Sequence, residues 1–509
     1  MSKVSRRPNR EQIKARNKAT KLAQKELRQK QIEEGLTPLP HSTISNGKSK
    51  LKTEEEQEEM YNDATWHQLK VFRAHLPKIL KDFSAIPENR ELWKIKHQLS
   101  ALLLYGLLRF VLCISSSRKA TREMSEPKFW ANLKYIFPEL ENIPHHDTLK
   151  RLLSQIDVSQ IENIHLDMVR KLIRNKKFSR YLINNCYPIA IDGTQKMARD
   201  HLWAEECLER TRNKGKDTEE TDYYVNVAQA NLAFAGGMSI PLVSEFLEYS
   251  ADNTGNNKQD CETKAFYRLA ERLKKEFPSL RIMLLLDGLY AKGPIMEVIR
   301  ENKWQYMIVL KEGSMPATFQ EFEALKKINT NNRHFRTWGN RKQHFKWVND
   351  IDYRFGPNEK KQVILHIVEC WETWQEVDRR TSEVVDKSSR HVWISSEPLE
   401  WSNLHERCNL GARSRWTIEE NFLVEKHQGY HYEHCFSYDW NAMKGFHYLM
   451  QLGHLFNILA RYSKELAKII KDTGVQGLIR LVRKTLSSPW FNKRLIGEVM
   501  GIPYQLRLI

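Results

Sequence analysis

Tyr187-Pro-Ile-Ala-Ile-Asp192-Gly-Thr194 is a short apolar run closed by an acid and a glycine. Such a run, bounded by a turn signal, reads as a strand that delivers an aspartate at its end. Arg281-Ile-Met-Leu-Leu-Leu-Asp287-Gly288 repeats the arrangement. Between the two, Tyr223 to Phe234 alternate, Gly236-Gly237 follows, and Ile240 to Leu247 continue, the pattern of an antiparallel hairpin. Asp260 to Phe277 and Lys292 to Asn302 have helical spacing, and Trp304 to Leu310 reads as another buried strand. The order is strand, strand, strand, helix, strand, helix, strand, with acids ending the first and fourth strands. This predicts an α/β fold with a mixed sheet.

Outward from this centre the periodicity changes on both sides. Residues from about Tyr61 to Leu182 repeat apolar positions at intervals of three and four, as in Leu69, Phe72, Leu76, Ile79 and Leu80, and predict a helical region. Within it, Pro144-His-His-Asp147-Thr148-Leu-Lys-Arg151 reads as a helix start capped by Asp147, with Lys150 and Arg151 exposed. A groove-binding helix and a plain packing helix both fit that short element. Beyond the centre, Phe345 to Val348, Val363 to Val368 and Val392 to Ser395 alternate in β fashion among several tryptophans, the pattern of a β-rich insertion. Asn441 to Ile470 and Gly474 to Leu486 are basic amphipathic helices, expected to pack on the core or lie along DNA. The N-terminal segment to about Lys52 is rich in Lys, Arg, Gln and Glu and is interrupted at Pro38, Pro40 and Gly47. It reads as a mobile basic arm, with Arg10 to Ile32 able to become helical on a phosphate backbone and a solvated tail without function as the alternative.

With 81 basic and 63 acidic residues among 509, the chain carries a net charge of +18. A balance this basic points to a polyanion, nucleic acid before membrane surfaces. The apolar run Leu99 to Ile114 contains Arg109 and falls short of the ~20 residues a membrane span requires, so it reads as a buried helix. No apolar segment follows the basic start Met-Ser-Lys-Val-Ser-Arg-Arg, and the seven cysteines form no CxxC pair. A cytoplasmic, nucleoid-associated protein with reduced thiols is expected.

Arg415-Trp-Thr-Ile-Glu419-Glu-Asn-Phe-Leu-Val-Glu-Lys426 supplies the remaining chemistry. At about 100° per residue from Arg415, Glu419 falls near ~40° and Lys426 near ~20°, whereas Glu420 and Glu425 diverge to about 140° and 280°. One strip thus holds an acid between two cations, which on its own is the pattern of an ordinary solvated salt-bridge face. Read with two strand-end aspartates, it becomes a candidate third wall of a metal cleft. Hard divalent ions take carboxylate oxygens, and two ions ~3.5–4 Å apart serve in-line displacement at phosphorus. Arg415 and Lys426 would then bind phosphate, the first with a fork and the second as a point charge. Asp260 and Glu262, early in a helix, read as dipole-favoured capping acids before metal ligands. His427, His431, His434 and Cys435 lack a second half with zinc spacing.

The Asp-Gly strand ends and the Arg-(3)-Glu-(6)-Lys spacing resemble bacterial insertion-sequence transposases of the DDE class. The resemblance runs from about Pro188 to His434 and includes Lys258-Gln-Asp260-Cys-Glu262 and Gly429-Tyr-His-Tyr-Glu-His434. It implies a ribonuclease H-like catalytic core with a β insertion before the glutamate, and Asp192, Asp287 and Glu419 as the catalytic triad on two Mg²⁺ or Mn²⁺ ions. In the fuller signature a tyrosine stands three residues before the arginine. Here that position is Ala412. The implied organisation is an arm at 1–60, a helical DNA-binding domain at 61–182, core at 183–314, insertion at 315–400, the glutamate helix at 401–440 and basic C-terminal helices at 441–509. The implied activity is cleavage at transposon ends and strand transfer into target DNA by a homodimer on DNA, with no membrane involved. An inactive DNA-binding descendant and a purely hydrolytic metal-dependent nuclease are the rival functions. Trp338 and Trp347 are candidates for an aromatic that contacts a DNA end, although a core tryptophan is the alternative for each.

Overall fold

The computed structural model describes residues 10–37, 49, 51–216, 218–249, 260–500 and 504–509. The break from Pro38 to Gly47 lies outside the described residues, as do Lys258 and Gln259 of the stretch quoted above. The chain divides into two compact units, a smaller one of Met1–Thr43 with Leu286–Ala412 and a larger one of Ile44–Leu285 with Arg413–Ile509.

Helix α1 (Arg10–Glu33) belongs to the smaller unit, and the larger unit then opens with seven helices. These are α2 (Glu54–Arg73), α3 (Leu76–Ser84), α4 (Leu99–Val111), α5 (Ser117–Met124), α6 (Pro127–Ile136), α7 (His146–Leu153) and α8 (Ser159–Arg174). Strands β1 (Tyr187–Arg199), β2 (Leu208–Arg212), β3 (Glu220–Phe234) and β4 (Met238–Leu247) precede α9 (Glu262–Glu276) and β5 (Ile282–Leu286). In the smaller unit come α10 (Gly293–Glu301), β6 (Gln305–Val309), α11 (Pro316–Ile328), β7 (Arg333–Trp338), β8 (Arg341–Phe355), β9 (Lys361–Val377) and β10 (Val384–Ser395). The larger unit resumes with α12 (Thr417–His427), α13 (Trp440–Arg461), α14 (Ala467–Ser487) and α15 (Lys493–Met500). The structure is therefore mixed α/β with helical flanks, its sheet combining parallel and antiparallel pairing.

In the larger unit β3 pairs antiparallel with β1 along one edge, and its other edge is shared by β2 and β4. On the far side of β1, β5 runs parallel, from Tyr187 opposite Ile282 to Ala190 opposite Leu285. A parallel strand needs cover on both faces, and every residue of β5 is buried accordingly. Asp192 and Asp287 each stand two residues past the last residue of that pairing.

The helices of this unit are organised by α13, whose residues from Phe446 to Ala460 are all buried. It packs on α4, α7 and α8. At Gly453 an added Cβ would lie 2.7 Å from the Phe110 Cβ and 3.3 Å from the Val111 nitrogen, so the glycine admits the backbone of α4. The alternative of α13 lying along DNA is thereby corrected: it is a core helix. Arg109 on α4 is fully buried and donates to the Ile114 carbonyl (3.3 Å), the Ser117 hydroxyl (3.1 Å) and the Ser115 carbonyl (3.4 Å). Among the described residues no helix is long and apolar enough to cross a membrane. At α7 the N-cap is His145, whose Nδ1 accepts from the Asp147 amide at 3.3 Å. Asp147 occupies the first turn instead, where its charge suits the helix dipole.

In the smaller unit β6, β10, β9, β8 and β7 pair antiparallel in that order. The short alternating stretches read from sequence are pieces of longer strands. Because β10 pairs with β6, the β-rich segment continues a strand expected to belong to the preceding core. The N-terminal segment read as a mobile arm contains α1, seated on β9.

Candidate active site

Asp192 lies on β1, paired across from Gln229 of β3. Its Oδ1 accepts from the Gly193 amide at 2.9 Å. Arg415, in the 3-10 turn Ala412–Trp416 that leads into α12, reaches Asp192 with Nη1 (3.5 Å) and Glu419 with Nη2 (2.7 Å). The helical strip read from sequence is thus real at Arg415 and Glu419, and it closes on Asp192. Glu420 points elsewhere: its carboxylate approaches Gly237, and its charge acts on Tyr462. Glu425 is fully buried. Lys426 is paired with Glu433 at 3.0 Å.

A further acid joins this group. A Cβ on Gly193 would meet the Glu262 Oε1 at 2.2 Å, so the first residue of α9 lays its carboxylate in the space the glycine leaves. The expectation that Asp260 and Glu262 share a capping role separates accordingly. Asp260 is tied to Arg268 (2.5 Å) and to the Cys261 amide (2.9 Å), whereas Glu262 stands in the first turn of α9, where an acid suits the dipole, with its carboxylate against Gly193. The signal in the sequence was the Asp260-Cys-Glu262 stretch, but its two acids were indistinguishable by spacing alone.

Burial pushes the Asp192 carboxyl up from its ordinary 3.8 to about 6; the Gly193 amide and Arg415 oppose the rise, and Glu419 and Glu262 add to it. Asp192 and Glu419 share the Arg415 guanidinium, and the Glu262 carboxylate lies against Gly193, but among the described residues these three acids do not bring their oxygens within 4.8 Å of one another. Oxygen donors of this kind fit Mg²⁺ or Mn²⁺.

Asp287 lies in the smaller unit, directly after β5. Its Oδ1 accepts from the Leu289 amide at 2.7 Å, capping the 3-10 turn Gly288–Tyr290. Trp347 is buried in the same unit and Trp338 is half-buried at the end of β7. Ala412 is buried as well.

Helix α12 is held from behind. The Glu425 carboxylate accepts from Asn421 Nδ2 (2.8 Å), pairs with His454 Nδ1 (2.9 Å) and accepts from Gln451 Nε2 (3.4 Å), the last two on α13. The Tyr432 amide donates to the Glu425 carbonyl (3.1 Å), and the Tyr432 carbonyl accepts from buried Lys196 (3.3 Å). Lys196 is carried inward at the β1 irregularity between Gln195 and Met197, and burial lowers its ammonium to about 8. Gly429 adopts φ 97° and sits where a Cβ would meet the Cys113 Cβ at 2.7 Å. The Gly429–His434 stretch therefore braces α12. Among the described residues one group of three His, Cys, Asp or Glu has ligand atoms within 4.8 Å of one another, namely His145, His146 and Asp147 on α7.

Residues 80–169 match the family described as DDE_Tnp_1-associated. The chain is also similar to two proteins of Escherichia coli (strain K12), “Putative protein YbfL” at 23% identity and “H repeat-associated putative transposase YhhI” at 22%. Each similarity extends over 259 residues, 50% of this chain and 57% of the relative. The chain thus spans little more than half the length of the curated relatives it matches, one of which is named a putative transposase.

Proposed function

We propose that this chain is a DNA transposase of the DDE class with a ribonuclease H-like core, similar to the group marked by the Y-(2)-R-(3)-E-(6)-K signature but with Ala412 in place of its tyrosine. The observation that carries the reading is Arg415, which binds Asp192, within β1, and Glu419, on α12, at once, while the Glu262 carboxylate lies against the neighbouring Gly193. An isolated surface pair would not gather carboxylates in this way, because their mutual repulsion raises the cost of each.

In this reading Asp192, Asp287 and Glu419 hold the metal ions, with Glu262 as an added oxygen donor beside Asp192. When bound, two Mg²⁺ or Mn²⁺ ions activate the attacking oxygen and stabilise the leaving one. Arg415 restrains Asp192 and Glu419 until substrate arrives and then offers its fork to a phosphate. Lys426 adds a second positive charge. The reaction is hydrolysis at a transposon end, which frees a 3′-hydroxyl, followed by attack of that hydroxyl on a target phosphodiester. The helices from 61 to 182, which include the matched segment, hold the end DNA, and a homodimer brings two ends together.

The test is incubation of purified chain with end-sequence duplex and Mn²⁺. Wild-type protein cuts and joins strands. Glu419→Gln binds the duplex and cuts about 10²- to 10³-fold more slowly, the loss seen when one charge-stabilising group is removed. Glu420→Gln remains active. Cutting without joining would identify a hydrolytic nuclease. Binding without any cutting would identify an inactive DNA-binding relative.

A further inference from the structure

Helix α1 has a divided surface. With Thr20 at zero on the wheel, buried Leu27 and Gln31 fall within about 20° of it. This face is seated on the β9–β10 hairpin: the Thr20 hydroxyl meets the Ser382 hydroxyl at 2.8 Å, Ser382 also donates to the Arg16 carbonyl (3.3 Å), and Gln31 Nε2 donates to the Gln375 carbonyl (3.4 Å). Arg10, Lys14, Lys18, Lys21, Lys25 and Arg28 all fall between about 80° and 160° on the same wheel. All six are exposed, and among the described residues none of them is in an ion pair. Glu11, Glu26 and Glu33 lie beyond them, at about 180° to 240°. The cations therefore form an unbroken stripe, one per turn, over about 27 Å.

We infer that α1 is a preformed, sequence-independent clamp for the phosphate backbone of duplex DNA. Evenly spaced cations with no acid among them suit a regular line of phosphates, and about 27 Å spans roughly 8 base pairs. The helix contains no aromatic residue on which unpaired bases would stack, which favours a duplex over a single strand. A helix that binds a lipid surface must sink an apolar face, and the exposed apolar residues here, Ile13, Leu22 and Ile32, fall at about 20°, 200° and 120° on no common face. Backbone contacts of this kind position DNA without reading it. The choice of DNA among polyanions rests on the transposase reading above; the stripe itself does not.

The test measures binding of the full chain to two unrelated labelled duplexes by fluorescence anisotropy between 50 and 200 mM salt. A variant combining Lys14→Gln, Lys18→Gln, Lys21→Gln and Lys25→Gln keeps good helix formers on an exposed face. Its affinity at the lowest salt is expected to fall at least tenfold. The slope of log affinity against log salt should become shallower by about 2 to 4, equally on both duplexes. The corresponding four Lys→Arg changes, which keep the charge, should retain the wild-type slope. An unchanged slope in the Gln variant, or an equal loss in the Arg variant, overturns the inference. So does binding to vesicles of phosphatidylcholine with phosphatidylserine that is lost in the Gln variant while DNA binding is kept. A chain that cuts DNA yet shows no Gln effect defeats this inference alone. A chain that never cuts but shows the Gln effect defeats the transposase reading alone.

Discussion

Asp192 concentrates the chemistry of single residues. Its folded carboxyl titrates near about 6 against an ordinary 3.8, so the folded chain binds the extra proton between those values. Metal-free stability should therefore fall as pH rises through that window and level off above it. Asp192→Asn removes the buried charge. Discounting for partial exposure, it should stabilise the metal-free chain at pH 8 by about 1 kcal/mol, and the gain should vanish below about pH 4. Melting curves at the two pH values check both signs. The same protonation competes with a cation, so Mn²⁺ affinity measured by calorimetry should drop as pH falls below about 6. Gly193 and Glu262 form a second residue-scale test. Gly193→Ala must displace the Glu262 carboxylate and should cost about 1–3 kcal/mol, whereas Gly193→Ala with Glu262→Ala should recover at least ~0.5 kcal/mol over the sum of the single changes.

At the scale of elements, α12 is as much a buried structural helix as a carrier of Glu419. The Glu425–His454 pair, with Asn421 and Gln451, ties it to α13, and all four side chains are buried. Glu425→Ala should destabilise the chain by about 3 kcal/mol in chemical denaturation, because buried Asn421 and His454 lose their partner while Gln451 keeps only Gln229. Glu425→Gln should cost less. This helix also shows how far spacing carries an argument. The wheel separated Glu419 from Glu420 and Glu425 correctly, since helical geometry is local. It placed Lys426 on the same strip, yet Lys426 finds Glu433 beyond the helix end, a partner that no helical period predicts.

At the scale of the whole molecule, the proposed metal chemistry requires Asp287 to act with Asp192 and Glu419. Mn²⁺ should raise the melting temperature of wild-type protein, and Asp287→Asn should remove that rise as completely as Asp192→Asn does. A full Mn²⁺ response in Asp287→Asn would take Asp287 out of the ligand set. The formal charge of +18 is compatible with DNA binding, but it does not choose a surface. That choice depends on how charges are arranged once elements fold, as on α1.

Apolar runs, alternation and helical periods are properties of neighbouring residues, and they sufficed to mark β1, β5 and α9, the hairpin of β3 and β4, and the Arg415–Glu419 strip. In sequence, Asp192 and Asp287 read as acids ending short buried strands; Asp287 does follow β5 directly, but β1 runs on to Arg199 because its pairing with β3 continues past the aspartate, so Asp192 lies within its strand. What only tertiary structure decided were relations between distant segments. Glu262 meets Gly193, β10 pairs with β6, α13 is buried rather than exposed, and α1 is seated on β9. Each depends on which surfaces meet after collapse, where burial and polar satisfaction choose among partners that sequence spacing leaves equivalent.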